Sequence, residues 1–188
     1  RVVCQAPQAV GLVYADFHDS REYRAAVELA RRSGIPIGLA TVRMQKPGEM
    51  GLLRAIAKHE PDYVLARNLA AIDHFRTVEI PTIADFSLNT ANHLAADWVR
   101  SLGPERVTAS YDLNRDQLID LTDSMPCKWL EVVIHQHMPM FHMEHCVFCS
   151  VLSPGTDKTN CGRPCDLHEV KMRDRVGSEH LLVADVGC

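Results

Sequence analysis

Five of the seven cysteines fall between Glu131 and Cys188. From Cys146 the spacing is C-x2-C, then eleven residues, then C-x3-C in Cys161-Gly-Arg-Pro-Cys165, then Cys188 alone. Thiolates are soft ligands, and two in one short turn can grip a single metal centre. Four of them suit structural zinc or an iron–sulfur cluster, and the spacing does not choose between the two. The competing reading is a disulfide framework. That suits small secreted domains, whereas this chain has 188 residues, an odd cysteine count and no legible secretory signal. Cys4 and Cys127 lie apart from the cluster and read as plain buried thiols.

A second set of residues could bind or turn over a substrate. Asp16, Arg43, Arg67 with Asn68, Asp85 with Asn89, Ser110 with Asp112, and His135 with His137 each follow a short apolar run. Arg43 and Arg67 could clamp a carboxylate or phosphate through two parallel hydrogen bonds. They could equally pair with Asp16 or Asp85. His135 and His137 alternate and so share a face if their segment is a strand, where one could orient a substrate or hold a metal. The plainer reading is that turns favour Asp, Asn and Ser as caps, which accounts for Asp19 and Asn114. His142 and His145 stand near the cysteines, but enough thiols are present to leave them out of a ligand set. No Gly-x-Ser-x-Gly or His-Glu-x-x-His motif is present.

The elements that must position these residues alternate in type. Strands are expected over 12–17, 36–42, 62–66, 81–86, 106–110 and 129–134, with one more over 181–186 and a short one at 1–4. Helices are expected over 21–32, 48–59, 69–75, 90–102 and 114–123, where apolar residues recur at helical spacing. Short continuous apolar strands alternating with amphipathic helices imply a parallel sheet. The fold class is therefore α/β, a TIM-barrel-like (β/α) parallel barrel. It is incomplete, because a full one usually takes about 250 residues. An open doubly wound sheet is the alternative, though no Gly-x-Gly-x-x-Gly follows a strand. In both folds ligands bind where strands exit, so the second residue set would line one pocket.

Composition narrows the function classes. An apolar share of 46% and a charged share of 23% are ordinary for a globular protein. A net charge of −4 gives no general field for nucleic acid, though a local basic patch remains compatible with it. No apolar run approaches the ~20 residues that span a bilayer, so no membrane role is expected. The chain opens on Arg1 and stops on a candidate ligand, which suggests a piece of something longer. Residues 1–188 are expected to form one barrel-like domain, with 138–188 a Cys-rich metal-binding segment within it.

Several of these segments together resemble the peptidase U32 family. They are Glu131-Val-Val-Ile-His135, the paired cysteines, Cys161-Gly-Arg-Pro-Cys165 and Asp185-Val-Gly-Cys188. Asp85-Phe-Ser-Leu-Asn89 with Asn92, and Ser110-Tyr-Asp-Leu, resemble family segments upstream. The likeness runs from Thr82 to Cys188 and is loose before that. Family members usually separate the first cysteine pair by six residues, where Cys146 and Cys149 are separated by two. The resemblance implies a TIM-barrel-like, cytoplasmic protein with an iron–sulfur cluster of the 4Fe-4S type, or zinc in its place. Its expected ligands are Cys149, Cys161, Cys165 and Cys188, with Cys146 the alternate. It implies a role in hydroxylation or modification of tRNA, rRNA or a small carboxylate or aromatic substrate. A collagenase-like peptidase is the alternative activity, and a zinc-stabilised binding module is the third reading. The loop from Ser150 to Asn160 has few apolar residues, so metal binding is expected to supply the free energy that orders it.

Overall fold

The computed structural model describes residues 10–17, 19–136, 145–157 and 159–184. The chain divides into two compact units, 1–136 and 137–188. The first alternates strand and helix: β1 (Val13–Ala15), α1 (Glu22–Ser33), β2 (Ile37–Ala40), α2 (Met50–Ala57), β3 (Tyr63–Ala66), α3 (Leu69–Thr77), β4 (Thr82–Ala84), α4 (His93–Ser101), β5 (Arg106–Thr108), α5 (Arg115–Ser124) and β6 (Leu130–Glu131). All neighbouring strands pair in parallel, in the order β1-β2-β3-β4-β5-β6. Consecutive strands that are also spatial neighbours are the winding of a (β/α) barrel rather than of a doubly wound sheet, whose order reverses.

The strands are short and buried on both faces, which is why they read as continuous apolar runs. Every residue of β2, Ile37-Gly-Leu-Ala40, is buried. Alternation sorts the side chains. Ile37, Leu39, Val64, Ala66, Ala84 and Val107 join the helix side, where Tyr23, Val27, Leu53, Ile72, Phe75 and Val99 pack on them. Ala40, Leu65 and Ile83 form a smaller cluster on the opposite face, with Tyr14 and Tyr63 against it.

That inner face carries the contact that bends the sheet. The Tyr14 hydroxyl, on β1, lies 2.9 Å from both carboxylate oxygens of Glu131, on β6. Six strands laid flat at ~4.8 Å spacing would hold these edges about 24 Å apart, beyond the reach of the two side chains. The sheet is therefore curled into a half-barrel. Arg106 of β5 completes the group, 2.9 Å from Glu131 Oε1 and with its guanidinium over the Tyr63 ring at 5.9 Å. Burial, and then the Glu131 charge and hydrogen bond, push the Tyr14 hydroxyl pKa well up, against the opposing pull of Arg106. The phenol thus stays a donor.

Helix boundaries follow local chemistry. Asn68, Asn92 and Asn114 each cap a helix with a side-chain oxygen, and Asn114 forms a capping box with Gln117. Gly34 ends α1 in the left-handed region at φ 65°. Asp19 makes the hydrogen bonds of an N-cap one turn ahead of Glu22: its carboxylate accepts from Arg21 N at 3.0 Å and its carbonyl from Glu22 N at 3.0 Å, with Arg21 already in the helical region. One expectation is corrected here. The strand expected over 129–134 ladders only at Leu130–Glu131, because β5, its partner among the described residues, stops at Thr108. Val132 and Ile134 consequently stand exposed, Ile134 at 96%.

The second unit contains α6 (Val147–Leu152), a 3-10 turn at Pro164–Asp166 and an antiparallel hairpin of β7 (Val170–Arg173) and β8 (Glu179–Leu182). Of the strand expected over 181–186, Leu181 and Leu182 belong to β8, which pairs antiparallel with β7, while residues 185 and 186 lie outside the described residues. Asp174 organises the hairpin turn, accepting from Val176 N and Ser178 N at 2.9 Å each. The possible strand at 1–4 lies outside the described residues. No described helix is long and apolar enough to cross a membrane.

Gly38 supplies a test of the curl. A Cβ there would meet Tyr14 Cδ1 at 2.7 Å, and Tyr14 cannot yield without leaving Glu131. Gly38→Ala is expected to cost about 1–3 kcal/mol in urea unfolding, the usual range for overpacking. Most of that loss should vanish in a Tyr14→Ala background. An undiminished loss there would show that the clash lies elsewhere.

Candidate functional site

Asp16, Arg67 and Asp85, one residue beyond their strands, and Ser110, two beyond β5, keep the inner-face alternation of Tyr14, Leu65, Ile83 and Thr108. Curling the sheet brings three of them into contact. Arg67 Nη2 lies 2.6 Å from Asp16 Oδ2, and Arg67 Nε lies 3.7 Å from Asp85 Oδ2. The Arg67 side chain is 8% exposed, Asp85 5% and Asp16 44%. Arg67 Nη1 also reaches the Thr41 carbonyl at 3.4 Å, and Arg67 N donates to Thr41 Oγ1 at 3.0 Å. A guanidinium held this way is a structural cation at the rim, its charge divided between a buried carboxylate and a wetter one.

Several rim candidates have local duties. Asp85 accepts from the Ser87 hydroxyl and backbone N–H, closing the 3-10 turn at Phe86–Leu88. Asn68 caps α3 through Ala71 N at 2.8 Å and donates to the Val42 carbonyl at 2.9 Å. Asn89 ends the 3-10 turn in the left-handed region. Ser110 is buried and its hydroxyl accepts from Asp112 N at 3.4 Å, while Asp112 is exposed. His135 is exposed and lies beyond the end of β6, so the shared strand face expected for His135 and His137 is not formed at His135. His137 lies outside the described residues.

Arg43 differs from Arg67. Its guanidinium stands 5.3 Å from the centre of the Phe86 ring, and Phe86 meets Tyr111 edge to face at 5.0 Å. Neither aromatic was singled out from sequence. The available signal was position, since Phe86 and Tyr111 follow the strand exits at Asp85 and Ser110.

In the second unit, Cys146, Cys149, Cys161 and Cys165 are all free thiols. Cys146 sulfur accepts from Cys149 N at 3.4 Å, capping α6. Cys161 sulfur accepts from Arg163 N at 3.4 Å, and the Cys149 thiol donates to the Gly155 carbonyl at 3.2 Å. Burial raises the Cys149 pKa, and the neighbouring Cys161 and Cys146 raise it further. Burial and Asp166 raise that of Cys165, with a smaller contribution from Cys146. Neighbouring sulfurs thus disfavour ionisation of Cys149 and, more weakly, of Cys165. Bound metal reverses that effect by stabilising thiolates. The donor chemistry fits a thiolate centre, while no group of three or more His, Cys, Asp or Glu among the described residues has metal-holding geometry. Cys188 and Asp185 lie outside the described residues. Cys127, expected to be buried, is exposed in the 3-10 turn Cys127–Trp129.

The connecting loop is organised by polar contacts of its own. Asn160 Oδ1 accepts from Thr156 N at 2.8 Å and Asp157 N at 3.0 Å, Asp157 Oδ1 accepts from Thr159 N at 2.8 Å, and Ser153 Oγ donates to the Cys161 carbonyl at 2.8 Å. Gly155 permits this closure, since a Cβ there would meet the Asn160 carbonyl oxygen at 2.4 Å. Few apolar residues therefore did not mean few ordering contacts.

The model of peptidase family U32 matches residues 13–183. The chain belongs to peptidase family U32. A solved structure, the U32 peptidase Mk0906, is similar at 13% identity with a TM-score of 0.50, over 64% of this chain and 57% of that one. At that identity the likeness shows the fold alone. The U32 chain spans little more than half the length of that neighbour. No curated protein matches it.

For this U32 rim, Arg67→Ala leaves the Asp85 carboxylate buried without its cation. The expected loss is about 3–5 kcal/mol in urea unfolding, as for other broken buried pairs. A loss below about 1 kcal/mol would instead class the pair with screened surface ion pairs.

Proposed function

We propose that this U32-family chain carries an iron–sulfur centre and acts in hydroxylation or related modification of RNA or a small aromatic substrate. The observation that carries the reading is the gathering of free thiols in the second unit: the Cys146 sulfur lies 3.4 Å from Cys149 N, and the Cys149 thiol and the Cys161 carbonyl are tied through Gly155 and Ser153. Cys149, Cys161, Cys165 and Cys188 would hold the cluster, with Cys146 competing for one place. A thiolate-held cluster supplies one-electron chemistry whose potential responds to hydrogen bonds at sulfur. Here the backbone N–H groups of Cys149 and Arg163 supply such bonds to Cys146 and Cys161. Zinc is the alternative for the same ligands, and would make the second unit a binding module. Free thiols suit a reducing compartment, which supports a cytoplasmic location.

The peptidase alternative needs an activated nucleophile. The rim hydroxyl nearest a carboxylate is Ser87, on Asp85. That contact closes a turn, and Asp85 already faces Arg67, so it favours the structural role over a catalytic one.

Anaerobic purification and reconstitution, with iron and acid-labile sulfide measured per chain and a visible spectrum recorded, tests the centre. Cys149→Ala, Cys161→Ala and Cys165→Ala are each expected to lose the cluster, and comparison of Cys146→Ala with Cys188→Ala assigns the fourth ligand. Zinc without sulfide would favour the binding module. Full cluster content in Cys161→Ala would rule the assignment out.

A further inference from the structure

The two rim arginines have separated fates. Arg67 is spent on Asp16 and Asp85. Among the described residues Arg43 has no carboxylate partner, and its contact is the Phe86 ring. It is half-buried, as are Phe86 and Tyr111. The Tyr111 hydroxyl also has no hydrogen-bond partner among the described residues. These three side chains follow the exits of β2, β4 and β5, the end of a (β/α) sheet where ligands bind. The Arg43–Phe86 contact therefore joins the exits of β2 and β4, the strands on either side of β3.

We propose that Arg43, Phe86 and Tyr111 form a recognition platform for a flat aromatic ring bearing an anionic group. A guanidinium lying over a ring still presents its N–H edge, with planar geometry suited to a phosphate or carboxylate. The Phe86 and Tyr111 rings supply apolar and edge surface against which a further ring can stack. The free Tyr111 hydroxyl can bond a ring substituent. An arginine that merely shields Phe86 from water would bind neither group, so the demand for ring and charge together is what distinguishes the platform. The net charge of −4 means that long-range attraction does not bring an anion here, so local contacts must supply the selectivity. The proposal rests on the aromatic-or-RNA reading of the substrate but not on the metal centre.

Two sources share this chemistry, a nucleotide unit of RNA and a small aromatic acid. Calorimetric titration of the full chain with uridine 5′-monophosphate and with 4-hydroxybenzoate separates them, with uridine, phenol and inorganic phosphate as the partial ligands. At least one complete ligand is expected to bind about tenfold or more tightly than its parts. Arg43→Lys, which keeps the charge but loses the planar edge, and Phe86→Leu should each weaken it about tenfold or more. Their thermal melts should stay close to that of the parent, since Arg43 holds no ion pair among the described residues. Preference for the nucleotide would identify RNA as the source, and preference for the benzoate would identify a small acid. Binding of neither complete ligand, phosphate binding as tightly as the nucleotide, or affinity unchanged in Arg43→Ala would overturn the platform. Cys149→Ala should leave this binding intact, so loss of the metal reading and loss of the platform are separate results.

Discussion

The Tyr14 hydroxyl on Glu131 joins the first strand of the sheet to the last. Everything at the rim depends on the curvature that this contact records. On a flat sheet the exits of β1 and β4 would lie about 14 Å apart at the usual strand spacing, and one guanidinium could not serve both. On the curled sheet Arg67 of the β3 exit reaches Asp16 and Asp85 together. The polar group of Tyr14, Glu131 and Arg106 is tolerable on a partly buried inner face because its members satisfy one another. Arg106 balances the Glu131 charge, and the Tyr14 hydroxyl donates to it.

Curvature also explains why similar residues at similar positions do different work. Arg43 and Arg67 both follow strand exits, and a linear reading makes them equivalent. Arg67 shares the inner-face alternation of its strand and points into the ring of exits, where carboxylates from two other strands already stand. Arg43 stands farther past the end of β2 and rests on Phe86. One arginine is consumed in holding the rim together, and the other has no ion-pair partner among the described residues. In the second unit, the same economy appears in sulfur. Cys146 serves as a helix cap while remaining a neighbour of Cys149.

The parallel sheet was legible in the sequence because strands buried on both faces give unbroken apolar runs such as Ile37-Gly-Leu-Ala40. The rim was legible for a related reason: polar residues ending such runs stay on the inner face. Pairing with Asp16 or Asp85 was one of the two readings open for both arginines, and Arg67 takes it; which arginine would do so was not legible, since that depends on the curvature recorded by Tyr14 and Glu131, 117 positions apart. The second unit was read least well. Helix α6 is short, and its cap is a cysteine sulfur rather than the usual oxygen. The hairpin's first strand, Val170-Lys-Met-Arg173, alternates apolar and polar residues over only four positions, and it and the Asp174 turn that fixes it were passed over. The hydrophobic content of Val132-Val-Ile134 suggested a longer β6 than its neighbour could pair.

A double-mutant cycle between Tyr14→Phe and Glu131→Gln, read by urea unfolding, tests the curled sheet most directly. Residues in contact couple, whereas residues on opposite edges of a flat sheet are too far apart to do so. The account predicts a coupling of about 1–2 kcal/mol, the range for a partly buried hydrogen bond to a charged group. Additive losses, with coupling within about 0.3 kcal/mol of zero, would contradict it.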